Sequence, residues 1–375
     1  MKGLYLTSYN TNDTRSGVCK KIRSQVDVFR RNGFDMEIVD ANSINFVETN
    51  VLTDTIRALF GNNGVNWQSL YKRVNKICST SPVDFIYIRK PLLDTYAIDF
   101  FNELKSEYPK IKLLFEIPTY PYDNEIRLSQ RIMWINDKIN RKHLFGFTDR
   151  IVTYSSDKQI FGVKTINISN GIDYSKYKIR NPEIHKGINV VAVALFEKWH
   201  GYDRFLNGMY KQLEIVKSHN IHLWLAGKGR ILTTYKKEVV EHGLQEYVHF
   251  LGEVHGADLD NLYNIADIAL DCMGRHRVGC YYNSSLKGKE YCAYGVPIIS
   301  GVETELDHNK DFEYYLRVPA DDTIIDMNSV VNYYHRCYDD ITPMELAEKI
   351  RGESIGWFNF DIAFKPVIDY IKKLI

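Results

Sequence analysis

Apolar and polar positions alternate in blocks from the first residues of this chain. Gly3 to Ser8 is an apolar run of strand length. The next block places Val18, Ile22, Val26 and Phe29 on one helical face and stops at Asn32-Gly33. Met36 to Val39, Phe85 to Ile88 and Ile111 to Glu116 are further strands, and a helix near Tyr96 to Tyr108 separates the last two. Residues 50 to 80 predict irregular helix, broken at Gly61-Asn62-Asn63-Gly64. Ile151 to Tyr154 and Thr165 to Ser169 close the first half. Asn170-Gly171-Ile172-Asp173 is a turn signal, and the polar run Lys176 to Lys186 reads as a linker.

The second half restarts the alternation. Strands are predicted at Val190 to Ala194, His222 to Ala226, His249 to Leu251, Ile268 to Cys272 and Val296 to Ser300. Helices fill Asp203 to Ser218, Leu232 to His242 and Leu259 to Ile265. After Glu305 the pattern weakens, with helices at Ile325 to Tyr338 and Pro343 to Gly352. Phe364 to Leu374 ends the chain with Val367, Ile368, Ile371 and Leu374 as an apolar stripe. Strands alternating with helices predict an α/β fold whose parallel sheets are covered on both faces.

One stretch carries candidate chemistry: Arg275 to Ser300. A basic, Gly-containing loop leaves a buried strand, and Ser284 and Ser285 stand where helix N-caps belong. Leu286, Glu290 and Ala293 follow at helical spacing, and Gly295 can end the helix. Free amides and the positive dipole at such a helix start attract phosphate oxygens. Arg275, Arg277 and Lys287 can add charge-assisted contacts, and Glu290 can accept bonds from two ribose hydroxyls. An ordinary crossover with a solvated basic loop gives the same pattern.

Composition narrows the class. With 375 residues, 45% hydrophobic and 25% charged, the chain has room for two globular domains. A net charge of +1 gives no drive toward nucleic acid. The six cysteines form no CxxC pair and no His-Cys ligand cluster, so zinc and a disulfide framework are unsupported and reduced, cytoplasmic thiols are expected. The start is too short for a signal peptide, and no run of about 18 apolar residues exists to span a membrane. Arg127 to His143 is basic with Ile132, Met133, Trp134 and Ile135 interleaved. It reads as a solvated helix face or as a contact with an anionic membrane.

The stretch Glu290-Tyr291-Cys292-Ala293-Tyr294-Gly295-Val296-Pro297 resembles the second half of the Glu-x7-Glu donor motif of retaining GT-B glycosyltransferases, family 4 above all. Other pieces follow the family's order. They are Ser16-Gly17 in the first loop, Asn170-Gly171-Ile172-Asp173 between domains, and Phe196 to Gly201 at the basic segment. Ala226-Gly227-Lys228-Gly229, Phe250-Leu251-Gly252-Glu253-Val254 and Leu262-Tyr263 through Ala266-Asp267 continue it. The resemblance implies two Rossmann-like domains facing across a cleft, at 1–173 and 187–355, with 356–375 as a terminal helix returning to the first. It implies a UDP- or GDP-linked nucleotide sugar as donor, no resident cofactor or metal, and a glycan or lipid-linked acceptor. It further implies a role in surface polysaccharide assembly, in the cytoplasm or at the inner face of the membrane.

Carried onto this chain, the resemblance puts Gly17, Gly227, Val254, Ser285, Leu286 and Glu290 on the donor, beside Lys198, Arg275, Ser284 and Lys287, which the residues themselves suggest. Glu290 takes the ribose, the backbone at Ser285 and Leu286 the distal phosphate, and the backbone near Val254 the base. Glu116 and Tyr120, in a loop leaving a strand at its carboxyl end, are expected to face the sugar or acceptor, and Lys198 and Arg277 to neutralise the diphosphate in place of the family's own Lys and Arg, whose positions fall at His200 and near Ala194. Two departures stand out: Tyr282 occupies the place of the motif's first Glu, and His200 that of a diphosphate-binding Lys. They leave open a non-catalytic nucleotide-sugar-binding subunit, beside a GT-B-fold epimerase or hydrolase.

Overall fold

A computed structural model describes residues 1–13, 16–41, 67–123, 130–309 and 311–374. The expected break at Gly61-Asn62-Asn63-Gly64 and residue Arg127 lie outside them. The chain divides into two compact units, one of residues 1–168 and 364–375, the other of residues 169–363.

In the first unit, β1 (Lys2–Leu6), β2 (Asp35–Val39), β3 (Phe85–Arg89), β4 (Lys112–Ile117), β5 (Arg150–Thr153), β6 (Gln159–Ile160) and β7 (Val163–Asn167) form one sheet in the order β2-β1-β3-β4-β5-β7-β6. All pairs are parallel except β6 with β7. Leu4, Leu6, Ile86, Ile88, Leu113 and Phe115 form its core with helices on either side. The continuous apolar runs seen in the sequence are strands buried on both faces. The last helix, Phe360–Lys372, starts in the second unit, and from Phe364 onward it belongs to the first. Phe364 meets Phe29 edge-on at 5.2 Å, and Val367, Ile368 and Ile371 are buried.

The second unit holds β8 (Ile188–Val193), β9 (Ile221–Ala226), β10 (Val248–Gly252), β11 (Ile268–Leu270), β12 (Ile298–Ser300) and β13 (Tyr315–Arg317), all parallel, in the order β10-β9-β8-β11-β12-β13. The strand at Tyr315–Arg317 carried no periodic signal, because three residues show no alternation. The helix expected over Asp203 to Ser218 is two, Asp203–Lys211 and Leu213–Ser218. Gln212 leaves the helical region at their junction, and its side chain donates to Ile325 O at 3.1 Å and accepts from Met327 N at 3.0 Å. That exchange of partners is long-range and silent in local sequence.

The run Lys176 to Lys186 is not a loose tether. Arg180 is buried in it, donating from Nε to Gly295 O at 3.1 Å and from Nη2 to the Tyr338 hydroxyl at 2.9 Å. Among the described residues no helix is long and apolar enough to cross a membrane.

Candidate donor site

Strand order in the second sheet reverses beside β8, where β9 lies on one side and β11 on the other. Open α/β sheets bind ligands outside the carboxyl ends of strands at such a point. The loops leaving β8, β9, β10 and β11 carry Lys198, Gly227, Val254 and Arg275–Ser285 respectively. One side of one sheet therefore gathers nearly all of the donor-side candidates.

The helix Leu286–Tyr294 begins there. Ser285 is its N-cap, accepting from Gly288 N at 3.4 Å and donating its own proton to Asp271 Oδ1 at 2.7 Å. The cap is thus anchored to the residue that follows β11. Ser284 is tied separately, accepting from Asn170 N at 2.7 Å and from Lys289 Nζ at 3.2 Å. Asn170 also donates from Nδ2 to Ser284 O. The turn signal at Asn170-Gly171 therefore clamps the phosphate-side loop of its own unit. Gly295 ends the helix at φ 82, and a Cβ there would lie 2.5 Å from Ala347 O. Leu286, at the first helical position, is exposed. Helix-start amides of this kind lack intrahelical acceptors.

The cations differ in their surroundings. Lys287 Nζ lies 3.3 Å from the Tyr202 hydroxyl, 3.3 Å from Cys272 Sγ and 4.0 Å from Asp271 Oδ1. Burial opposes its charge, but the Cys272 thiol and Asp271 carboxylate outweigh that and raise its pKa, so it stays an ammonium. Arg277 is engaged on both sides. It grips Asp203 with Nη1 and Nη2 at 2.9 and 2.7 Å, meets Asp322 from Nε at 2.7 Å, and donates to Lys198 O at 3.1 Å. Two carboxylates neutralise it, so the geometry gives Arg277 the role of locking three loops together. Lys198 itself is exposed, its side chain on the surface.

His200 is buried, with its ring stacked on Tyr202 at 5.6 Å. Burial, then the nearby Lys287 and Arg275 charges, push its pKa down to about 2. It is neutral and, as its Nδ1 accepts from Glu197 N, it carries its proton on Nε2. The Gly-x-Gly turn closes over this segment. Gly227 and Gly229 have φ of 134 and 158, and added Cβ atoms would stand 1.9 Å from Ala194 O and 2.1 Å from Phe196 O. Only glycine lets the two loops touch there. Val254 is half-buried just beyond β10. Glu290, one turn into the helix, accepts from the Tyr177 hydroxyl at 3.0 Å.

Sequence reasoning missed a group beside Tyr282. The segment Tyr281–Asn283 pairs with Glu303 as in a parallel sheet, with Asn283 N to Glu303 O at 2.8 Å and Glu303 N to Tyr281 O at 3.1 Å. Partners in such a bridge point to the same face. Glu303 therefore places a carboxylate beside the Tyr282 side chain, 3.2 Å from His308 Nε2, and the His308 ring stacks on Tyr282 at 6.2 Å. The pairing crosses 21 positions, so no local motif announces it. Asp271, the one acid inside the predicted apolar strand Ile268 to Cys272, could have been singled out on that ground.

In the first unit, Gly17 starts the helix Gly17–Arg31 behind the N-cap Ser16, with open space around the position of a Cβ. Glu116 does not stand in the loop surface. It is fully buried at the end of β4, taking bonds from Arg89 Nη1, the Tyr87 hydroxyl and Gln25 Nε2, each at 2.7 Å, with Lys21 Nζ at 3.8 Å. Burial raises its carboxyl, but Lys21 and Arg89 overcome this and hold it below the usual range. Glu116 therefore reads as the anchor under the loop. Tyr120, partly exposed, packs edge-on to Phe161 at 5.7 Å. Among the described residues no group of His, Cys, Asp and Glu is placed to hold a metal ion.

Residues 187–323 match the family described as glycosyl transferases group 1. No curated protein matches the chain. Among solved structures, a glycosyltransferase from Rickettsia africae aligns over 100% of this chain and 98% of its own, at 14% identity and TM-score 0.65. Anabaena HepE in complex with UDP aligns over 100% of both chains, at 12% identity and TM-score 0.64. WaaG, a glycosyltransferase involved in lipopolysaccharide biosynthesis, aligns over 100% of this chain and 99% of its own, at 13% identity and TM-score 0.58. The fold is GT-B, as the motif order implies, and the match to group 1 glycosyl transferases falls within its second unit.

Proposed function

We propose that the chain transfers a hexose-type sugar from a nucleoside diphosphate donor to a glycan or lipid-linked acceptor, in surface polysaccharide assembly at the cytoplasmic face of a membrane. The observation that carries this reading is the start of the helix Leu286–Tyr294, capped by Ser285, flanked by Lys287, and set at the reversal point of the sheet.

A diphosphate at that helix start meets backbone amides, the Lys287 ammonium and the Nε2–H of His200. Glu290, already an acceptor for Tyr177, takes the ribose hydroxyls. In the reaction, the bond between the anomeric carbon and the diphosphate oxygen breaks, and the bond to the acceptor oxygen forms. The proton of the acceptor hydroxyl passes to the diphosphate oxygen that leaves the anomeric carbon. Fixed amides and cations balance the charge that grows on the leaving group, so the proposed transfer calls for no metal ion. Retention of configuration follows the family resemblance. Glu303, beside Tyr282, supplies a carboxylate for sugar hydroxyls where the motif's first Glu is absent.

HepE holds UDP, so UDP and UDP-sugars head the donor panel. The test is thermal unfolding with UDP-, GDP- and other nucleotide sugars, on wild type and Glu290→Ala, followed by a transfer assay with the best donor. A ligand at about 100 times its Kd should add roughly 2.7 kcal/mol. One donor should stabilise wild type and not the variant, and sugar should then reach an acceptor. Binding without turnover would favour the non-catalytic reading that Tyr282 motivates.

A further inference from the structure

The helix Arg131–Asn140 and the tight turn Arg141–Gly146 after it have an outer face that the donor site does not use. That face is apolar and exposed: Ile132 at 61%, Ile135 at 47%, Ile139 at 56% and Phe145 at 67% of full exposure. The three isoleucines recur at the spacing of one helical stripe. The inner side is pinned. Asp137 is fully buried and pairs with Lys90 at 2.6 Å, Arg141 grips Asp123 at 2.6 and 3.0 Å, and Trp134 Nε1 donates to Asp123 at 2.8 Å. The helix therefore cannot roll its isoleucines inward without breaking a buried ion pair.

Among the described residues from Arg131 to Gly146, the exposed acid–base charge has one sign. Arg131, Lys138 and Lys142 are exposed beside the stripe, and the sole acid between Arg131 and Gly146, Asp137, is buried. We propose that this face docks the chain on an anionic lipid surface, the isoleucines and Phe145 entering the acyl boundary and the three cations lying among the headgroups. A second copy of the chain is a poor occupant. A two-fold contact would bring two patches of the same positive sign together without any opposite charge to offset them. The inference extends the proposed function, since a lipid-linked acceptor lies at such a surface, but its test is independent of the donor.

The experiment is co-sedimentation of the full chain with vesicles of phosphatidylcholine alone or mixed with phosphatidylglycerol, over a range of salt. The variants are the pair Ile135→Asp with Ile139→Asp, and the pair Lys138→Glu with Lys142→Glu, each checked for unchanged thermal unfolding. Wild type should sediment with the anionic vesicles, less so in high salt. The isoleucine pair should abolish this, and the lysine pair should weaken it by roughly tenfold or more. Wild type left in the supernatant with both vesicles, or variants that sediment as wild type does, would overturn the proposal. So would a solution dimer that either variant pair dissociates. Glu290→Ala should bind vesicles like wild type, so failure of the donor reading leaves this result standing.

Discussion

His200 Nδ1 accepts a 3.1 Å hydrogen bond from the backbone N–H of Glu197, and this fixes the imidazole as a neutral Nε2–H donor in the proposed donor site. The consequence is a pH dependence of known sign. Its folded pKa, about 2, lies below the unfolded value near 6.5. Below that value the unfolded chain takes up a proton that the folded chain refuses, so stability is lost as pH falls. Relative to His200→Gln, wild type should lose up to about 1.4 kcal/mol per pH unit below pH 6. Urea unfolding of both proteins at pH 5 and pH 7 measures it, and parallel curves would mean a solvated, ordinary histidine.

Two cations of the same stretch should behave differently. Arg277 is closed between Asp203 and Asp322, whereas Lys287 sits at the helix start. Arg277→Gln should cost about 1 kcal/mol of stability, as suits a partly exposed pair, and leave nucleoside diphosphate affinity within about threefold. Lys287→Gln should weaken that affinity by about tenfold or more. Calorimetric titration with UDP separates the two, and a reversed order would return Arg277 to the diphosphate.

Glu116 predicts a stability effect in the first unit. Glu116→Gln leaves the Arg89 and Lys21 charges without their buried counter-charge, which should cost about 3 kcal/mol. The carboxyl is depressed in the fold, so its contribution is full above the unfolded Glu pKa near 4.3 and fades as pH falls below it. The gap between wild type and variant should therefore be widest at neutral pH and shrink toward pH 3. Denaturant titrations give the gap, and its absence at pH 7 would free Glu116 for a role in the loop.

Glu303 should set sugar discrimination without holding the nucleotide. Glu303→Gln is expected to leave UDP binding unchanged and to lower kcat/KM for the preferred UDP-sugar by about tenfold to a hundredfold, the range of one lost charge-assisted bond. Equal losses for UDP and for the UDP-sugar would show that the residue acts on the loop instead.

The sequence by itself determined the α/β class, the alternation that builds both sheets, and the start and end of the helix Leu286–Tyr294. These depend on local signals: buried strands read as apolar runs, Ser285 can cap, and Gly295 can turn left-handed. Gly227 and Gly229 were legible only through the family's Gly-x-Gly loop. The tertiary structure alone decided where charge is available. Arg277 and Lys287 look alike along the chain, yet Asp203 and Asp322 reach one of them from distant loops, while Tyr202 and Asp271 hold the other at the helix start. Glu116 looked like a loop acid and became a buried anchor, because Arg89 comes from the neighbouring strand in register with it. Glu303 entered the site through a backbone bridge across the fold. Local propensity reaches a few residues in either direction, but the pairing of charges and of separated strands is settled only when folding brings distant segments within a few ångströms.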